Sequence, residues 1–225
     1  MEALRPTTHR LTVLAARPLT PTMRRVTVAA PTLAVPGLRL AQDVGLMLTD
    51  NAGRPVRRRY TLAAVDIAAR TLELDGLLHG NGPGAAWFAA AEVGTEVEGF
   101  GPRAGIDVVP ADWYLLASDE SGFPAVAELR AHLRAPVITL LEVGEKAEEV
   151  AGWDAQWLHR DGRPPGLPDA FEAAISALAP PAGNGFAYVL GESRAVTTLK
   201  AALATIGLGS ERSYVKGYWN RDRPR

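Results

Sequence analysis

Short stretches in which apolar and polar residues alternate fill the first half of the chain. Val26 and Val28 flank Thr27, and Leu72 and Leu74 flank Glu73, the period of two expected of strands with one buried face. Six such stretches are predicted: Leu11–Leu14, Arg25–Ala29, Val44–Leu48, Arg58–Val65, Thr71–Leu78 and Thr95–Phe100, with Pro31, Pro36, Gly53, Pro55 and Gly94 between them. Together with one short helical segment, Ala85–Ala91, they predict a small antiparallel six-stranded barrel.

After Gly101-Pro102 the rhythm changes. Trp113–Ala117, Val137–Val143 and Phe186–Gly191 are continuous apolar runs, as parallel strands buried on both faces tend to be. Helical stripes over Phe123–Arg134, Asp169–Leu178 and Val196–Ile206 alternate with them, which predicts a doubly wound α/β domain. The expected fold class is therefore β + α/β. The barrel covers residues 1–105 and the α/β nucleotide-binding domain residues 106–225, with the boundary in the Gly- and Pro-rich Gly101–Asp112. In that order a barrel can hold a cofactor's reactive ring while the C-terminal strand edges of the sheet admit a dinucleotide.

Composition narrows the function classes. Lys and Arg (24) nearly cancel Asp and Glu (25), so no global positive field points to nucleic acid. The absence of cysteine excludes disulfides, thiolate metal sites, iron–sulfur clusters and cysteine nucleophiles together. Histidines 9, 79, 132 and 159 show no metal-ligand spacing, so no metal site is expected. No apolar run approaches the roughly 18 residues of a membrane span, and Met1–Arg17 lacks the pattern of a signal peptide. A cytoplasmic monomer without membrane insertion is the expectation.

Two constellations carry candidate chemistry. Arg58-Arg59-Tyr60-Thr61 lies on a predicted barrel strand, with Arg58, Tyr60 and Leu62 expected on one face and Arg59 and Thr61 on the other unless the strand bulges. A flavin dinucleotide needs a guanidinium for its pyrophosphate, an aromatic face for its ring system and a hydrogen-bonding group near its reactive nitrogen, and Arg-x-Tyr-Thr offers all three. An edge strand with solvated arginines and a rim tyrosine would look the same. The second constellation, His79-Gly80-Asn81-Gly82-Pro83-Gly84-Ala85-Ala86-Trp87, is a glycine-rich turn into a helix whose exposed backbone amides suit a pyrophosphate. An ordinary tight loop has the same composition.

Read together, several motifs look like those of siderophore-interacting proteins, a family of FAD-dependent ferric-siderophore reductases of the ferredoxin-reductase-like fold. They are Tyr60-Thr61-Leu62, His79-Gly80 with Gly82-Pro83 and Trp87, Gly101-Pro102-Arg103, Ser118-Asp119-Glu120-Ser121-Gly122-Phe123-Pro124-Ala125, Gly191-Glu192-Ser193 and Gly217-Tyr218-Trp219. Trp157-Leu158-His159-Arg160 also resembles a family segment. The resemblance implies FAD held by Arg58, Tyr60, Thr61, Leu62 and the His79–Trp87 loop, including Gly80, Gly82, Pro83, Gly84 and Ala85, with Tyr60 and Thr61 at the reacting edge. It further implies that Asp119 and Ser121 face the flavin, that Gly191 and Glu192 lie on the nicotinamide side, and that Tyr218 and Trp219 cover the flavin ring.

Arg59, Arg103 and Lys216 are the basic residues expected to meet an anionic ferric siderophore, with Arg57, Arg221, Arg223 and Arg225 as further candidates. NADH or NADPH is the implied electron donor. This chain departs from the family pattern at Ala63, where a basic residue is common, and at Ala85 and Ala86, where a hydroxyl is common. Thr197, Thr198 and Lys200 stand where arginines are common, which leaves the choice between NADH and NADPH open. Two other readings fit the same residues: a flavin or electron-transfer reductase with a different acceptor, and a binding protein for ferric siderophore or flavin without turnover.

Overall fold

Six antiparallel strands, β1 (Thr8–Thr20), β2 (Met23–Ala29), β3 (Asp43–Thr49), β4 (Pro55–Asp66), β5 (Thr71–Leu77) and β6 (Glu96–Arg103), close into a barrel in the order β1-β2-β5-β4-β3-β6. Closure leaves no unpaired strand edge. The computed structural model describes residues 8–32, 39–78, 80, 82–103 and 105–222. It divides into two compact units, the first ending at Asp107 and the second starting at Val108.

The alternating residues fill the barrel: Leu11, Val13, Val26, Val28, Val44, Leu46, Leu72 and Leu74 are all buried. Strand β1 is longer than the expected Leu11–Leu14 because register shifts after Val13 and after Pro18 break its period of two. Helix α1 (Pro83–Ala90) packs through the buried Phe88 onto Gly76 of β5, where a side chain would collide with the ring. Arg24 of β2 donates to the carbonyls of Phe88, Ala89 and Ala91 at 3.0, 2.6 and 3.1 Å. A cation thus satisfies the free carbonyls at the C-terminal end of α1.

The second unit is a five-stranded parallel sheet of β7 (Trp113–Ser118), β8 (Val137–Val143), β9 (Gln156–His159), β10 (Gly185–Glu192) and β11 (Ser213–Trp219), in the order β11-β10-β7-β8-β9. Strands β7 and β10 are buried along their whole length, as their unbroken apolar runs predict. Helices α2 (Phe123–His132), α3 (Asp169–Ser176) and α4 (Ser193–Thr205) follow the predicted stripes. Strand β9 adds an edge beyond those runs, and a single 3₁₀ turn over Lys146–Glu148, with no α-helix, lies between β8 and β9. The strand order reverses between β7 and β10, so their C-terminal ends form the crevice in which open α/β sheets receive ligands. Among the described residues no helix is long and apolar enough to cross a membrane.

Candidate functional site

In the barrel unit, Tyr60 and α1 are built around each other. The Tyr60 ring meets Phe88 edge-on at 4.9 Å, and its hydroxyl occupies the space a Cβ at Gly84 would need. Burial pushes the Tyr60 phenol up to about 12, against the opposing charge of Arg58, so it stays a neutral hydroxyl at physiological pH. The half-buried Arg58 donates to the Arg57 carbonyl at 3.1 Å and, among the described residues, has no carboxylate partner. Helix α1 opens on Gly82 without a side-chain cap among the described residues, leaving the amides of Gly84 and Ala85 for a ligand. Trp87 packs edge-on against Phe88 at 4.9 Å, and its indole N–H is buried without a partner among the described residues.

Strict alternation along β4 holds through Leu62, with Tyr60 and Leu62 toward the core and Thr61 on the face of Arg59. A bulge between Leu62 and Ala64 resets the alternation beyond Thr61, so that Leu62 and Val65, three apart, both pack into the barrel core and only the backbone of Leu62 is free for a cofactor. Gly80 adopts φ +69°, a conformation that favours glycine. His79 lies outside the described residues, as do Arg223 and Arg225. Thr61 faces Asp43 across the β3–β4 ladder, and Asp43 also pairs with Arg103 of β6. The Asp43 carboxylate lies 3.8 Å from Arg59 and 3.5 Å from Arg103, which gathers two of the three proposed substrate cations beside Thr61. Sequence reasoning missed Asp43, since no local pattern marks it.

In the α/β unit three distant motifs meet at the reversal point of the sheet. Asp119, 4% exposed, follows β7 directly. One of its oxygens accepts from the Ser121 backbone N–H at 3.0 Å and from the Ser121 hydroxyl. The other accepts from the Glu192 backbone N–H at 3.0 Å and from the Trp219 indole at 2.8 Å. Gly191, at φ +146°, lets the chain come this close, since a Cβ there would stand 2.7 Å from the carboxylate. The Glu192 side chain caps α4 through the amides of Arg194 and Ala195 at 2.7 and 2.8 Å. Asp119, Ser121, Gly191, Glu192 and Trp219 are thus brought together, and their polar groups bind one another. Lys216 lies over the Tyr218 ring at 5.2 Å.

Beside this cluster Arg160, from the Trp157–Arg160 segment, donates to both oxygens of Glu120 at 2.9 and 2.5 Å and to Glu142 at 3.2 Å. Burial pushes the Glu142 carboxyl up to about 7, with Arg160 opposing, and pushes Asp119 up to about 6, with the charge of Glu120 adding to the rise. Arg160 itself is raised: burial works against its charge, but the bonds and charge of the two glutamates outweigh it. The edge therefore carries more buried carboxylates than cations, which holds Glu142 and Asp119 above the ordinary carboxylate range.

The model described as a siderophore-interacting FAD-binding domain matches residues 38–106, and the one described as siderophore-interacting protein matches residues 111–222. The crystal structure of a siderophore utilization protein from T. fusca superposes with a TM-score of 0.86 at 31% identity, over 96% of this chain and 94% of that one. The chain belongs to the siderophore-interacting protein family. Ferric vibriobactin reductase of Vibrio cholerae is 29% identical over 182 residues, 76% of this chain and 66% of that protein. The NADPH-dependent ferric-chelate reductase of Escherichia coli is 26% identical over 179 residues, 74% of this chain and 67% of that protein. As a member of this family the protein is an oxidoreductase with FAD as its cofactor. The barrel fits that cofactor: among the described residues Arg58 has no carboxylate partner, the start of α1 has no side-chain cap and the buried Trp87 indole N–H has no acceptor.

Proposed function

We propose that this protein takes electrons from NADH or NADPH and delivers them to the iron of a ferric siderophore, releasing iron(II). The observation that carries this reading is the arrangement of Arg58, Tyr60 and the uncapped start of α1, whose donors suit a flavin dinucleotide. FAD held there would supply the conversion of a two-electron hydride donor into one-electron reduction of two iron(III) centres. Arg58 and the amides of Gly84 and Ala85 bind the pyrophosphate, and Tyr60 supplies a neutral aromatic face. Thr61 orients the reacting edge. Arg59 and Arg103 draw in the anionic chelate, with Asp43 holding both guanidiniums in reach. Hard oxygen ligands hold iron(II) less tightly than iron(III), so reduction and release are one event. No group on the protein has to act as acid or base.

On the same reading the barrel is the FAD domain, the α/β unit receives the nicotinamide nucleotide, and the protein acts in the cytoplasm as a monomer. The relatives named as a ferric vibriobactin reductase and an NADPH-dependent ferric-chelate reductase support the reaction class. The test is the absorption spectrum of the purified protein, followed through anaerobic addition of NADH or NADPH and then of a ferric siderophore. Bleaching of the flavin bands by nucleotide and their return with ferric chelate are expected. Bleaching without a faster return than in a buffer control would replace the acceptor, and no bleaching would replace the donor.

A further inference from the structure

We propose that Asp119 is a positioning residue for the half-reaction in which the nicotinamide nucleotide is oxidised, acting through the Trp219 indole and the Gly191–Glu192 turn. This rests on the reading of the α/β unit as the donor side. In that half-reaction the nucleotide gives up a hydride, two electrons with one proton, and the flavin takes it. Each added ångström or tilt between the two rings slows such a transfer, so the groups that line the donor edge must be held still.

The structure ties that edge to one carboxylate. Asp119 directly follows β7, Glu192 ends β10 and Trp219 ends β11, and one oxygen of Asp119 accepts from both of the others. Trp219 is gripped a second time, because the Ser193 hydroxyl donates to its carbonyl at 2.7 Å. That bond depends on Gly217, since a Cβ there would collide with the same hydroxyl. The Glu192 carboxylate adds a third tie, accepting from the Arg221 backbone N–H at 3.1 Å just beyond β11. The indole therefore has its ring N–H, its own carbonyl and the following residues all fastened to the ends of β7 and β10.

The chemistry of Asp119 separates orientation from simple stability. Among the described residues its four donors are all neutral and no cation meets its carboxylate directly, so an apolar residue of similar size would be the cheaper filler. What the carboxylate supplies is direction: two acceptor oxygens that fix an aromatic ring and a turn at the reversal point of the sheet. An amide cannot replace it, because one of its two ends would present N–H groups to N–H groups.

The experiment is anaerobic stopped-flow reduction of the FAD-loaded protein by NADH and by NADPH, for the parent, Asp119→Asn, Trp219→Phe and the double variant. FAD stoichiometry and unfolding midpoint are measured alongside. We expect Asp119→Asn to lower the limiting rate of flavin reduction at least tenfold while half-saturation by nucleotide changes less than threefold, with FAD content intact. Trp219→Phe, which removes the ring donor together with part of the ring, should move the same parameter in the same direction, and the double variant should be no slower than the slower single one. A folded, FAD-loaded Asp119→Asn with the parent limiting rate overturns the proposal. If that variant does not fold, Trp219→Phe decides alone, and a parent-like rate there overturns it equally. A parent protein reduced by neither nucleotide overturns this proposal and the donor reading together, whereas a reducible parent with unaffected variants overturns this proposal only.

Discussion

The Tyr60 hydroxyl fills the space that residue 84 would need for a Cβ. Gly84 lies in the first turn of α1, where alanine would ordinarily be the better helix former by about 1 kcal/mol. Here the packing reverses that preference. Gly84→Ala should destabilise the protein by about 1–3 kcal/mol through overpacking and weaken FAD binding. Tyr60→Phe removes the colliding oxygen and should restore stability to Gly84→Ala, though not full flavin affinity. Unfolding midpoints and FAD titrations of the two single variants and the double variant check this. Additive losses would show that the two positions do not share the space.

Among the described residues Arg58 has no acidic partner to compete for its guanidinium, so its charge is available to a ligand. Arg58→Ala should raise the FAD dissociation constant by the equivalent of about 1.5–3 kcal/mol, the usual loss of charged hydrogen bonds. Arg58→Lys should recover part of the loss, since a point charge cannot reproduce the planar fork. An unchanged dissociation constant in Arg58→Ala removes this residue from the site.

The carboxylates near Arg160 give the second unit a pH signature of unusual sign. Glu142 and Asp119 are raised to about 7 and about 6, so the folded protein holds protons that the unfolded chain has released. Their contribution to stability is complete below their unfolded values and is lost as pH rises through the folded ones. Glu142→Gln cannot ionise, and Arg160 keeps both of its bonds to Glu120. Relative to the parent, the variant should gain on the order of 1–3 kcal/mol between pH 5 and pH 8. Urea unfolding of both proteins at the two pH values measures the difference, and a pH-independent difference would contradict the assignment.

Arg59 and Arg103 stand half-exposed around the Asp43 carboxylate. Replacing both by glutamine should slow reoxidation of the reduced flavin by an anionic ferric chelate several-fold at low salt, and the deficit should shrink as ionic strength rises. A neutral chelate serves as the control. If the deficit is the same at every salt concentration, the arginines act by contact and do not steer encounter.

Much of this molecule is determined by its sequence alone. Val26, Val28, Leu72 and Leu74 reveal the barrel because a strand's inside and outside are set two residues apart. The unbroken runs of β7, β8 and β10 reveal the parallel sheet for a similarly local reason, since both faces are buried. Motif order points to the family, and with it to FAD. Other features depend on which strand lies beside which. Strand β9 hides because four edge residues carry no period, and the packing of both Leu62 and Val65 into the core hides because a bulge resets alternation. The Asp119–Trp219 bond spans 100 residues and the hold of Arg24 on α1 spans at least 64. Asp43, Arg160 and Glu142 likewise find their partners only through sheet order and register. Local pattern reports how a residue relates to its neighbours along the chain, whereas a buried charge is decided by what the folded chain brings against it.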